Sequence, residues 1–235
     1  MKTPQPVNLD FLHDNPLLNR ARATEVLRRE GLSAVVVGRP ANISYLTNHW
    51  PLLERMGATG SAYAVLSADP KAPVALVMGQ FSYYYGLAEE QLPQTVQPFL
   101  FTGQGPNGAA APARMFRVVD EQALLPRERA RRAATEATQP FSADAVVALR
   151  KALQSLAVRG GTIGIDGDLA EASLLAALPI AGVRNAEDTL RRIRRVKSPA
   201  ELQLMRLTAQ ANADAALAAA RATRQLGSIR ALRAR

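Results

Sequence analysis

Cysteine is absent from the 235 residues, which excludes a disulfide frame, a thiolate metal site and a cysteine nucleophile. Histidine is nearly absent, with only His13 in a polar tail and His49 in an irregular stretch. Neither stands in an H-E-x-x-H pattern, and Glu54, five residues after His49, makes only a lone pair with it. No run approaches the roughly 18 apolar residues of a membrane span, and Met1 to Asn15 lacks the apolar core of a signal peptide. A soluble, cytoplasmic protein with no membrane partner is expected. No G-x-S-x-G elbow or P-loop occurs. Gly103-Gln104-Gly105-Pro106-Asn107-Gly108 misses the dinucleotide fingerprint by a residue, and its proline-rich sequel opens no helix.

What is present is arginine and a globular share of apolar residues. The net charge is +9, yet only Lys2, Lys71, Lys151 and Lys197 are lysine. Most of the excess sits in Arg114 to Arg132, Arg191 to Lys197 and Arg221 to Arg235. The aromatic residues are not interleaved with these arginines as base-stacking surfaces require, so solvated helix faces and a basic tail are expected, not a nucleic-acid partner. With 48% hydrophobic residues, the chain can bury one substantial core and an appendage.

Apolar residues recur at helical period from Pro16 to Leu27, and Gly31 stops that helix. Leu32 to Val37 is a valine-rich run of the kind buried on both faces of a sheet, followed by a turn at Gly38-Arg39-Pro40. Asn42 to Thr47 reads as the next strand or strand edge, and Asn48 to Gly60 as a loop. Ser61 to Ser67 and Pro73 to Met78 form a hairpin around Ala68-Asp69-Pro70-Lys71. A helix over Phe81 to Gln91 precedes a strand from Thr95 to Thr102, where Pro98 argues for an edge. Gly103 to Ala113 reads as a long loop. A helix capped by Ser142 follows, carrying Val146, Leu149 and Leu153 and closed by Gly160-Gly161. Strands at Thr162 to Asp166 and Ile180 to Val183 flank a short helix at Leu169 to Leu178. The alternation predicts an α/β fold, a mixed sheet flanked by helices, with a C-terminal helix appended.

That last helix has the strongest local signal. Ser198-Pro199-Ala200-Glu201 combines a capping box with proline at the first helical position. Leu202, Met205, Ala209, Asn212, Ala213, Ala216, Leu217 and Ala220 then recur at threes and fours, so one small, largely apolar stripe requires a partner. The eight residues from Ser228 to Arg235 are too few and too basic to supply it.

Two segments carry a family likeness. Asn42-Ile43-Ser44-Tyr45-Leu46-Thr47 resembles the N-I-x-Y-L-T signature of the creatinase and prolidase N-terminal domain. Asp188 to Arg206, with Lys197-Ser198-Pro199-Ala200-Glu201-Leu202 and Met205-Arg206, resembles that family's junction with its catalytic domain. Together with Gly164-Ile165-Asp166 and the intervening alternation, the resemblance spans Pro16 to Arg224. It implies a creatinase N-terminal fold with a ribonuclease H-like motif. It divides the chain into a polar tail (1–15), the N-terminal domain (16–190), a linker and first helix of a catalytic domain (191–226) and a basic tail (227–235). Relatives hydrolyse Xaa-Pro peptides, or creatine in one branch. Most hold two divalent metals such as Mn or Co with two Asp, one His and two Glu in a pita-bread domain, and the creatinase branch holds none. Those ligands would follow Leu226, so the resemblance implies a truncated, non-catalytic chain without a metal or other cofactor. It implies a homodimer that meets peptide substrate only beside a catalytic domain. His49, Trp50, Glu54 and Arg55 would then reach toward the partner subunit's active-site mouth, whereas without that role Trp50 packs on the domain surface and the others are solvated. The alternative is a free-standing peptide- or protein-binding domain of the same fold.

Overall fold

The structure is a computed structural model, and it describes residues 9–51, 53, 56, 61–87, 92–103, 122–166 and 180–226. Glu54 and Arg55, the loop expected from Gly103 to Ala113 except its first residue, the helix expected over Leu169 to Leu178 and the basic tail lie outside these residues.

Six strands form one mixed sheet: β1 (Leu32–Val37), β2 (Ala62–Ser67), β3 (Val74–Gly79), β4 (Val96–Phe101), β5 (Thr162–Ile165) and β6 (Gly182–Asn185). Their spatial order is β4-β3-β2-β1-β5-β6. Only β2 runs against its neighbours, pairing antiparallel with β1 and β3, while β1–β5, β5–β6 and β3–β4 are parallel. β1 is central, and Ala34 to Val37 are fully buried because the sheet is covered on both faces. β4 takes an edge, where Pro98, lacking an N–H, interrupts no interior ladder.

The helices are α1 (Phe11–Asp14), α2 (Arg20–Arg29), α3 (Pro40–Thr47), α4 (Gln80–Gly86), α5 (Pro126–Glu136), α6 (Ala145–Ser155), α7 (Glu187–Arg194) and α8 (Pro199–Leu226). Val35, Val37, Leu66, Leu76 and Met78 point to one face and pack with Val26 and Leu27 of α2, Ile43 and Leu46 of α3 and Leu190 and Ile193 of α7. The alternate residues Ala34, Val36, Val65, Ala75 and Val77 meet Ala148, Leu149, Ala152 and Leu153 of α6 on the other. Among the described residues no helix is long and apolar enough to cross a membrane.

Three expectations need correction. Asn42 to Thr47 is helical, not a strand. Its β-branched and aromatic residues favour strands, but Pro40 stands at the first helical position, and Asn48 ends the helix at φ 60°, the left-handed conformation. Spacing of three and four puts Ile43, Leu46 and Thr47 together in the core. The cap of α6 is Asp144, whose Oδ1 accepts from the Val147 N–H at 2.8 Å. Ser142 is buried instead, its backbone exchanging hydrogen bonds with Leu100 and Thr102 beside β4. Finally, β6 begins at Gly182, and Ile180 precedes it.

Candidate functional site

The ends of β1 and β5 meet the start of α3, and this corner is organised by Asp166. Its carboxylate is fully buried. Oδ1 accepts the Gly38 N–H at 2.5 Å and the Arg39 N–H at 3.3 Å, and Oδ2 accepts from Asn42 Nδ2 at 2.5 Å. The negative charge therefore sits at the N-terminus of α3, where the unsatisfied N–H groups and the helix dipole favour it. Asn42 passes the connection on, its Oδ1 accepting from Arg194 Nη1 of α7 at 3.2 Å. Asn42 and Tyr45, three residues apart on α3, both meet Arg194, whose guanidinium lies 5.6 Å from the Tyr45 ring centroid.

Beyond Tyr45 lies a groove of about 440 Å³ between α3 and the first half of α8. Its walls are Leu17, Ala41 and Tyr45 on one side and Leu204, Met205 and Ala209 on the other, with Arg194 and Glu201 as its charges. Burial, reinforced by the Glu201 carboxylate, raises the Tyr45 phenol above its ordinary value of 10 against the opposing Asn19 hydrogen bond and Arg194. Glu201 Oε1 takes Lys197 Nζ at 2.7 Å, while its buried Oε2 has no hydrogen-bond partner. Only half of the expected capping box is therefore seen: Ser198 Oγ accepts from the Glu201 N–H at 3.1 Å and donates to the Pro16 carbonyl at 3.2 Å, whereas the Glu201 carboxylate turns to Lys197 and returns no bond to the Ser198 N–H. Chemically the groove offers an aromatic and apolar surface with one cation and one carboxylate, suited to holding an amphipathic segment.

His49 and Trp50 go separate ways. His49, partly buried, lines a second cavity of about 290 Å³ with Leu9, Leu12, His13, Leu87 and Pro93. Burial pushes its imidazole down from 6.5 to about 4, and Nε2 has no hydrogen-bond partner. Trp50 is 47% exposed and lies outside that cavity. Glu54 and Arg55 fall outside the described residues. Among the described residues no three His, Asp or Glu side chains converge as a metal-ligand set, so they do not fit a two-metal centre.

A cluster around Glu30 holds α7 against the end of α2. Its carboxylate accepts from Thr189 Oγ1 at 2.5 Å and pairs with Arg192 at 2.9 Å and Arg184 at 3.3 Å. Burial acts to raise this carboxyl, but the Thr189 and Arg192 hydrogen bonds and the two guanidinium charges outweigh it, leaving the group below its ordinary value.

Sequence reasoning placed Asn42, Tyr45, Asp166 and Arg194 in matching segments but gave none of them a structural role. Pro40 and Asn48 were the available signals, since a helix between them puts Asn42 and Tyr45 on one side.

No curated protein matches the chain. Among solved structures, the prolidase from Pyrococcus furiosus is similar at 14% identity over 84% of this chain, with a TM-score of 0.42. The prolidase from Pyrococcus horikoshii is similar at 17% identity over 86%, with a TM-score of 0.45. This chain spans 42% of the length of each. An Xaa-Pro aminopeptidase structure from Streptococcus pyogenes is similar at 10% identity, covering 74% of this chain and 93% of that one, with a TM-score of 0.39. The assignment rests on a sequence profile: the Creatinase/Prolidase N-terminal domain matches residues 20–196, from the first residue of α2 to just past α7, and the chain belongs to that family.

Proposed function

We propose that this chain is the non-catalytic N-terminal domain of a metal-dependent hydrolase of the Xaa-Pro dipeptidase, Xaa-Pro aminopeptidase or creatinase kind, where it selects substrate and forms the homodimer. The profile match over residues 20–196 is the observation that carries this reading. Catalysis then belongs to a second domain, and any divalent metals bound there would activate water and polarise the scissile carbonyl. This chain supplies shape and contacts. In this reading Trp50, exposed after α3, and half-buried His49 beside it belong to the segment that faces a neighbouring subunit's substrate. Glu54 and Arg55 belong to the same proposed substrate-facing segment. The protein acts in the cytoplasm, without a nucleic-acid partner.

The test joins this chain to the catalytic part of the Pyrococcus furiosus prolidase and measures Xaa-Pro dipeptide hydrolysis with Mn²⁺. Trp50→Ala should raise KM or shift the preferred first residue while leaving the fold intact. Unchanged KM and specificity in both Trp50→Ala and His49→Ala would refute the substrate-selecting role. A second reading, a free-standing peptide-binding domain, draws on the groove between α3 and α8. It requires saturable binding of a peptide by the chain alone, abolished by Met205→Glu.

A further inference from the structure

Arg20 opens α2, and its side chain reaches the turn between β2 and β3. There Nη2 donates to the Asp69 and Ala72 carbonyls, both at 2.6 Å, which uses both of its hydrogens and fixes the guanidinium in place. Nε is buried and has no hydrogen-bond partner. The Asp69 carboxylate does not supply one: its Oδ1 accepts from the Lys71 N–H at 2.9 Å. Burial draws the guanidinium below its ordinary value, and the Asp69 charge opposes this only in part. A cation has been taken from water here without full compensation.

Arg20 lines a cavity of about 350 Å³ between the start of α2, the end of α3 and the β2–β3 turn. Lys71 is its other charged lining residue, and no carboxylate joins the two among the described residues. Leu18, Leu46 and Val74, which belong to the core, and Pro73 give it apolar walls, while Lys71 is exposed at its mouth. The cavity shares no lining residue with the groove between α3 and α8 or with the His49 cavity.

We propose that this cavity binds a small organic carboxylate, its oxygens received by Arg20 and Lys71 and its apolar body laid against Leu18, Leu46, Pro73 and Val74. A carboxylate is the anion that answers both halves of the lining. Its oxygens match the donor fork of a guanidinium and give the orphan Nε an acceptor, and its hydrocarbon part takes the apolar walls out of water. An inorganic anion would satisfy the cations and leave the walls wet, whereas a neutral apolar molecule would leave Nε unpaired. The volume falls in the range of small-molecule pockets, which pair mostly apolar walls with a few fixed polar groups. This binding is a property of the domain itself and does not depend on a catalytic partner.

The test titrates cyclopentanecarboxylate into the 235-residue chain at neutral pH, followed by calorimetry and by the arginine Nε–H signals in a ¹⁵N-correlated NMR spectrum. One saturable site with a Kd of about 1 mM is expected for a ligand of this size, and the Arg20 Nε–H resonance should move downfield as its hydrogen bond forms. Arg20→Met, which also identifies that resonance by its loss, should weaken binding about tenfold or more. Arg20 also holds the β2–β3 turn, so Lys71→Glu, at an exposed position, provides a second variant that leaves the packing alone; it should weaken binding about threefold or more. Cyclopentanecarboxamide, which lacks the charge, and inorganic phosphate, which lacks the apolar body, should each bind about tenfold more weakly or worse. The proposal is overturned by an absence of saturable binding up to about 20 mM, by either control binding as tightly as the carboxylate, or by an affinity indifferent to Lys71→Glu.

Discussion

Replacing Asp166 tests the corner on which the α3 site is built. The fully buried carboxylate accepts two backbone N–H groups and the Asn42 amide. In Asp166→Ala all three donors lose their acceptor inside the protein, at about 1–3 kcal/mol each before water compensates, so a net loss of about 4 kcal/mol is expected. Asp166→Asn is more informative. Its carbonyl can keep Gly38 and Arg39, but its NH2 then confronts the NH2 of Asn42. Asn42 cannot turn over to help, because its oxygen already accepts from Arg194. The expected loss is about 2 kcal/mol, or about 4–8 °C in Tm for a chain of this size. Adding Asn42→Asp restores a donor–acceptor match, keeps the partner of Arg194 and places a carboxylate in the first turn of α3, so over half the loss should return. Urea unfolding followed by circular dichroism, with an unchanged m-value, is the assay. A loss below about 0.5 kcal/mol for Asp166→Asn, or no recovery in the double variant, would refute the reasoning.

Two further predictions concern stability elsewhere. Gly164→Ala would put its Cβ 2.7 Å from the Ala186 Cβ and 3.0 Å from Val35 Cγ1 between β5, β1 and α7, and should cost about 1–3 kcal/mol in the same assay. His49, held near 4 by burial, favours the folded state fully above its unfolded value of 6.5; that contribution is lost as pH falls from 6.5 toward 4, by about 3 kcal/mol at most. His49→Gln should flatten this limb of a stability–pH profile. The depressed Glu30 carboxyl acts in the same direction but only below its ordinary value of 4.5, so the two windows separate.

The sheet was legible in the sequence because its strands advertise themselves. Leu32 to Val37 is continuous and β-branched, the hairpin has a proline turn, and Pro98 marks an edge. Asn42 to Thr47 was misread because its composition favours strands, and Ile43 and Leu46 become helical only through the caps around them and the core they complete. The site depends on contacts with little local signature: Asn42 with Asp166 is separated by 124 residues and Asn42 with Arg194 by 152. The exposed stripe of α8 was legible because it is one periodic helix, whereas the divergence of His49 and Trp50, adjacent in sequence, is set by packing that no local pattern encodes.

The division of labour within the family is tested most directly by Xaa-Pro dipeptide hydrolysis with added Mn²⁺, comparing the purified chain with the same chain joined to a prolidase catalytic domain. No turnover by the chain alone and metal-dependent turnover by the joined protein are expected. Metal-dependent hydrolysis by the chain alone, abolished by a chelator, would contradict its assignment as a non-catalytic domain.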